Sequence, residues 1–294
     1  MNNLPVYIVN NVKDFEPDHV FDCGQAFRWE KLSSEGREMY VGVAGGHVAA
    51  ISYDDKSYTL TLANVTEEEY LSFWHHYLDL DTDYSSIKDS LAFLDDNMKQ
   101  AVAYGHGIRL LRQEFFETLI SFIISANNNI PRIKKCIENL SVTFGNKIDV
   151  PEAFHQYVGI HKDYYAFPSW EALSSVTPEQ ISDACKAGYR CPYIVKSAEN
   201  YGNALAGGVS LPVTEKEIML YPGVGPKVAD CVLLFTAQNR NVFPVDVWVR
   251  RVMSRLYNQE DSISGVHKYA HEHFGDLQGY AQQYLFYYIR SLEN

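Results

Sequence analysis

Lys227 and Asp246 are the two side chains whose surroundings best suit them to chemistry. They stand 19 residues apart, Lys227 just past the run Tyr221-Pro-Gly-Val-Gly-Pro and Asp246 at the end of Phe243-Pro-Val-Asp. A neutral amine is a nucleophile, and a carboxylate stabilises a positive charge that develops in a transition state. The residues before Lys227 suggest how it is placed. Thr214 followed by Glu217 is a capping-box pattern, so a helix is expected to run from there to about Leu220. Pro222, Gly223 and Gly225 end it, because glycine accepts backbone angles that other residues resist. Pro226 suits the first turn of a second helix, from Lys227 to about Ala237. The amides near Gly223, Gly225 and Val228 then form an anion-binding turn that fits a phosphate. Taken alone, the two glycines suit a plain helical turn equally well.

Lysine in a first helical turn opposes the helix dipole, and with burial this should lower its pKa. Asp246 precedes VWVRRVMSRLY, whose apolar spacing reads as helix, so Asp246 is placed as its N-cap. Considered singly, Lys227 could be a surface lysine and Asp246 a cap and nothing more.

The elements that would carry these residues read as an α+β chain. Residues 6–63 contain alternating stretches such as MYVGVAGGHVAAISY and YTLTLA, which suggest strands joined by polar turns. Residues 66–100 read as helices with Trp74, Tyr77 and Leu78 on one apolar face. Residues 114–126 are apolar on most sides, which places a buried central helix there. Beyond them the pattern is helical to the end, with no convincing strand. The expectation is an antiparallel N-terminal sheet domain with trailing helices over residues 1–100. It packs on a larger all-helical body, residues 101–294, that contains a helix-hairpin-helix motif.

Composition limits the function. The net charge of −12 seems to oppose a polyanionic partner, yet residues 1–100 carry 18 acidic and 7 basic residues against 19 and 18 in the rest. Bases cluster at Arg132, Lys134 and Lys135, at Arg190 and Lys196, and at Arg240, Arg250, Arg251 and Arg255. Phosphate binding needs a positive patch rather than a positive protein. Five scattered cysteines (Cys23, Cys136, Cys185, Cys191, Cys231) favour a reducing cytoplasm. Neither a membrane-spanning run nor a secretory signal is evident. No CxxC or HExxH spacing suggests a metal site.

The segments CGQAFRW (residues 23–29), LLRQEFFETLISFIISANNNIPRI (110–133), Gly188-Tyr189-Arg190 and Tyr221 to Asp246, with a weaker fifth at AQQYLF (281–286), resemble the helix-hairpin-helix DNA glycosylases. They are most similar to the 8-oxoguanine branch. The resemblance runs through nearly the whole chain in family order. It implies a DNA-repair glycosylase and lyase that flips 8-oxoguanine out of duplex DNA, expected opposite cytosine. By resemblance, Lys227 attacks C1′ and Asp246 stabilises the cationic sugar. Schiff-base formation and β-elimination follow. Gly24, Cys231, Gln282 and Phe286 match the lesion pocket. Gly24 offers a carbonyl to the N7 hydrogen that ordinary guanine lacks, Cys231 and Phe286 sandwich the base, and Gln282 meets its Watson–Crick edge. Asn127 matches the residue entering the base stack and Tyr189 its aromatic wedge. Arg132 and Arg190 match the pair that bonds the estranged cytosine.

Family members with an iron–sulfur cluster carry its cysteines in the C-terminal region. No cysteine follows Met253 here, so no cofactor is expected; a structural cation on the hairpin carbonyls stays open. Animal members have histidine and aspartate where this chain has Trp248 and Ile289, which suggests that a polar contact is exchanged for packing. The lysine separates this chain from alkyl-base glycosylases, where water attacks. Two alternatives stand beside this function: another oxidised or alkylated purine as substrate, and a non-catalytic helix-hairpin-helix DNA-binding module. A monomer of prokaryotic cytoplasm, without membrane contact, is expected.

Overall fold

Two-residue turns set the register of the N-terminal sheet. Glu35 and Gly36 (φ 52° and 75°) join β2 to β3, and Gly45 and Gly46 (φ 55° and 80°) join β3 to β4, the paired positive φ values that tight hairpins require. A side chain at Gly45 would also stand 2.4 Å from the Phe73 ring. The computed structural model describes residues 4–208, 214–259 and 262–292. Its strands β1 (Val6–Val9), β2 (Trp29–Ser34), β3 (Arg37–Ala44), β4 (His47–Asp54) and β5 (Thr59–Ala63) form one antiparallel sheet in the order β1-β5-β4-β3-β2.

Both sheet faces are covered. Tyr40, Ala44, Ala49, Ile51, Leu60 and Leu62 pack with Trp29, Trp74, Tyr77 and Leu78, the apolar face expected from the sequence. Met39, Val41, Val43, Val48 and Ala50 pack instead with Phe154, Val158 and Tyr164, which return from the helical part of the chain. That return contains a strand pair, Lys147–Ile148 with Tyr164–Tyr165, where sequence reading expected only helices. Two-residue strands show no alternation to detect. A short helix, Pro17–Phe21, likewise interrupts the region read as strands.

The rest is helical. The central helix Phe115–Ser125 buries nine of its 11 residues, and Glu114 caps it by accepting from the Phe116 and Glu117 amides. Ile130–Phe144, Cys191–Ala206 and Pro226–Phe235 pack against it, and Val247–Tyr257 and Gln278–Leu292, paired with each other, complete the same core. Tyr84, Leu91, Met98 and Ala101 join this larger core, so the packing partner changes within the trailing helices. At that change, buried Asp79 (φ 52°) accepts from Arg240 Nη1 at 2.8 Å, Arg112 Nε at 2.7 Å and Tyr84 OH at 2.7 Å. Removing one partner from a buried ion pair costs about 3–5 kcal/mol, so this cluster ties the segment after the sheet to the helical body.

Candidate active site

The hairpin forms as its residues imply. Thr214 Oγ1 accepts from the Glu217 amide and Glu217 Oε2 from the Thr214 amide, closing the capping box on helix Glu215–Ile218. Gly223 has φ 80°, and a Cβ there would lie 2.5 Å from the Tyr193 ring. Glycine is therefore required twice over at this position. Gly225 differs from expectation. Its backbone is extended (φ −104°, ψ −178°) and a Cβ would meet nothing, so the fold itself does not demand glycine there. No side chain caps helix Pro226–Phe235, which leaves the Lys227 and Val228 amides at its N-terminus without intrahelical acceptors. Val228 is buried, so any part it takes in anion binding rests on that amide rather than its side chain.

Lys227 and Asp246 border the same cleft, a cavity of about 600 Å³. Gly24, Phe27, Phe122, Trp248, Phe286 and Ile289 share its wall. The Lys227 ammonium lies 5.2 Å from the centroid of the Phe122 ring. Asp246 caps helix Val247–Tyr257, with Oδ1 accepting from the Val249 amide at 2.8 Å. The expected fall in the Lys227 pKa is not found. Burial pulls it down, but Cys231, Asp246 and Asp230 together pull it above the ordinary lysine value. Burial also raises the Cys231 thiol to about 11, and raises Asp230 to about 7 with help from Glu215. At neutral pH Cys231 is therefore an uncharged thiol and Asp230 is only partly ionised, which leaves Asp246 as the main anionic neighbour of the Lys227 ammonium.

Gly24 occupies the other wall with φ 83°, and a Cβ added there would stand 3.2 Å from the Phe286 ring. Its loop is pinned from several directions. Gln25, fully buried, donates to Val20 O at 2.8 Å and Arg109 O at 2.7 Å and accepts from the Leu111 amide at 2.9 Å. Gln113 donates to Gln25 O, Gln283 to Cys23 O at 2.8 Å, and Arg290 to Asp22 O at 2.8 Å. Of these, sequence reasoning singled out none. Cys231 and Gln282 are buried and do not border the open volume. Cys231 lies against Lys227, while Gln282 donates to Pro244 O and keeps a buried Oε1 with no partner among the described residues.

Three consecutive asparagines build the loop after the central helix, each with a different task. Asn127 is exposed at φ 49°, a conformation asparagine tolerates better than most residues. Asn128 donates to Ile124 O, and Asn129 caps Ile130–Phe144 by accepting from the Arg132 amide at 3.0 Å. The Arg132 residue is exposed beside them. Tyr189 is 57% exposed, with the Arg190 guanidinium 4.3 Å from its ring centroid. Arg190 departs from expectation. It is buried, and Nε, Nη1 and Nη2 donate to the carbonyls of Ala126, Ala187 and Asn127. In this conformation it holds the loop rather than presenting a free fork to a base. Trp248 is 42% exposed beneath the Arg251 guanidinium, whereas Ile289 is buried on the neighbouring helix; both border the cleft.

Comparison with known proteins places this geometry in a family. Residues 7–119 match the 8-oxoguanine DNA glycosylase N-terminal domain, and residues 120–272 match the HhH-GPD superfamily of base excision DNA repair proteins. An N-glycosylase/DNA lyase of Saccharomyces cerevisiae is 30% identical over 262 residues, covering 81% of this chain and 67% of that protein. A probable N-glycosylase/DNA lyase of Methanothermobacter thermautotrophicus is 32% identical over 220 residues, covering 69% of this chain and 70% of that protein. The Clostridium acetobutylicum 8-oxoguanine glycosylase/lyase, solved with double-stranded DNA containing cytosine opposite 8-oxoguanine, superposes with a TM-score of 0.87 at 38% identity, covering 100% of this chain and 99% of that one. A 3-methyladenine DNA glycosylase of Archaeoglobus fulgidus shares the fold at a TM-score of 0.72 and 20% identity, covering 97% of this chain and 99% of that one. Both halves of the sequence and its whole-length superposition thus agree: the chain belongs to the HhH-GPD superfamily of base excision DNA repair proteins, in its 8-oxoguanine DNA glycosylase branch.

Proposed function

We propose that this chain excises 8-oxoguanine from duplex DNA opposite cytosine and then cuts the strand. The observation that carries this reading is the convergence of Lys227, Asp246, Gly24 and Phe286 on one cleft large enough for an extruded base. The hairpin amides hold a phosphate, Asn127 and Tyr189 fill the gap left by the flipped nucleotide, and Arg132 contacts the orphaned cytosine. Arg190 joins Arg132 once its donors leave the loop carbonyls. The Gly24 carbonyl accepts the N7 hydrogen of the lesion; guanine offers no hydrogen there, so the buried acceptor would stay unpaired. Gln282 and Cys231 lie behind the cleft wall in this conformation, and each would meet the base, through the orphaned Oε1 and the neutral thiol, once that wall opens.

Lys227 gives its proton to solvent and its lone pair attacks C1′ as the C1′–N9 bond breaks, the bond electrons leaving with the base, which takes up a proton. Asp246 stabilises the cationic sugar through its charge. Ring opening gives an imine, loss of a C2′ proton follows, and the C3′–O bond breaks. Since the Lys227 pKa stands above the ordinary lysine value, the neutral-amine fraction grows with pH and single-turnover excision should accelerate across roughly pH 6 to 9. The absence of any cysteine beyond Cys231 supports chemistry without an iron–sulfur cluster, and five free, buried thiols support a reducing compartment.

The test is single-turnover cleavage of duplexes carrying 8-oxoguanine opposite each of the four bases, alongside duplexes with an alkylated purine. Fastest release opposite cytosine, with strand scission, is expected. Preference for the alkylated base, or binding without release, would overturn the reading.

A further inference from the structure

Outside the cleft, the segment that covers the second face of the sheet brings two histidines and a carboxylate together. Glu152 and His155 are three residues apart in helix Glu152–Val158, which puts their side chains on one face. Gly159 ends that helix in the left-handed region (φ 73°, ψ 12°), its amide donating to His155 O at 3.0 Å, and the chain doubles back. The reversal lays the His161 ring against the His155 ring, with centroids 4.1 Å apart. His161 Nε2 is 3.5 Å from Glu152 Oε2, and one potential ligand atom from each of the three residues lies within 4.8 Å of the others. His155 Nδ1 is buried with no hydrogen-bond partner among the described residues, so engaging that nitrogen would break no existing bond.

We propose that Glu152, His155 and His161 bind a divalent zinc-class cation. Two imidazoles and one carboxylate with a position left to water suit Zn²⁺, whereas Ca²⁺ and Mg²⁺ call for oxygen ligands. Bonds of about 2.0–2.2 Å in a tetrahedral site separate ligand atoms by roughly 3.3–3.5 Å. The His161–Glu152 pair already has that spacing. The His161 and Glu152 side chains are 71% and 65% exposed, free to rotate the rest of the way and draw the stacked rings apart. Neighbouring lysines are neutralised, Lys147 by Asp163 at 2.8 Å and Lys162 by Glu30 at 2.8 Å. Phe154 and Val158 of the same helix seal the outer sheet face, so the cation would fasten that cover to the turn after it.

The experiment is calorimetric titration of the full, tag-free chain with Zn²⁺ after chelation, in the absence of DNA. The wild type should bind at one-to-one stoichiometry, with the imidazole NMR signals of His155 and His161 shifting together. His161→Ala and Glu152→Gln should each weaken binding roughly tenfold or more, while His75→Ala leaves it unchanged. Affinity should fall on acidification, because protons compete for the imidazoles. Absence of binding, or equal affinity in His161→Ala and wild type, overturns the proposal. Base excision is not part of the readout, so either result leaves the glycosylase reading to its own test.

Discussion

Two loops border the cleft, and they are held in opposite ways. The loop around Gly24 is fixed by side chains from distant elements: Gln283 and Arg290 on the last helix, Gln113, and Gln25 reaching into residues 109–111. The loop at Asn127 is exposed at its tip and is held by caps at either end, by the Arg190 guanidinium and by the Tyr189 hydroxyl on Ala126 O. Buried hydrogen bonds that are all satisfied fix geometry, while a charged fork resting on carbonyls can exchange them for other acceptors. The side that would read the base is thus built before DNA arrives. The side that would enter the duplex keeps the freedom to rearrange.

Gln283→Leu should widen this difference most. It leaves the Cys23 carbonyl without its donor in a buried setting, at a cost of about 1–3 kcal/mol of stability measured in urea. It should also loosen Gly24 and narrow the gap in single-turnover rates between 8-oxoguanine and guanine. If stability falls while discrimination is untouched, the pinning of Gly24 does not set specificity. Asn127→Gly should do the reverse. Glycine adopts φ 49° without strain, so stability should move by only about 0.5 kcal/mol, while duplex binding and excision weaken. A large loss of stability there would show that the loop is as firmly built as its counterpart.

What the sequence made legible was mostly local. The capping box at Thr214, the proline at 226, the Asp246 cap and the apolar run of the central helix each declare themselves within a few residues. The pins were illegible because they act over distance. Gln283 meets Cys23 across 260 positions, and Gln25 meets Arg109 across 84. A glutamine carries no periodic signal that says what it holds. The direction of the Lys227 shift was misjudged for a related reason, since burial and dipole can be argued from position while the opposing effects of Cys231, Asp246 and Asp230 enter only through folding. Arg190 was assigned by family resemblance, and only the structure reveals that its donors are already engaged.

The account rests on Lys227 as the group that joins the sugar. Borohydride trapping on a duplex with 8-oxoguanine opposite cytosine, followed by peptide mass mapping, tests this most directly. The predicted result is a single DNA adduct on Lys227 that disappears, together with base release, in Lys227→Gln. An adduct on another residue, or one that persists in that variant, would contradict it.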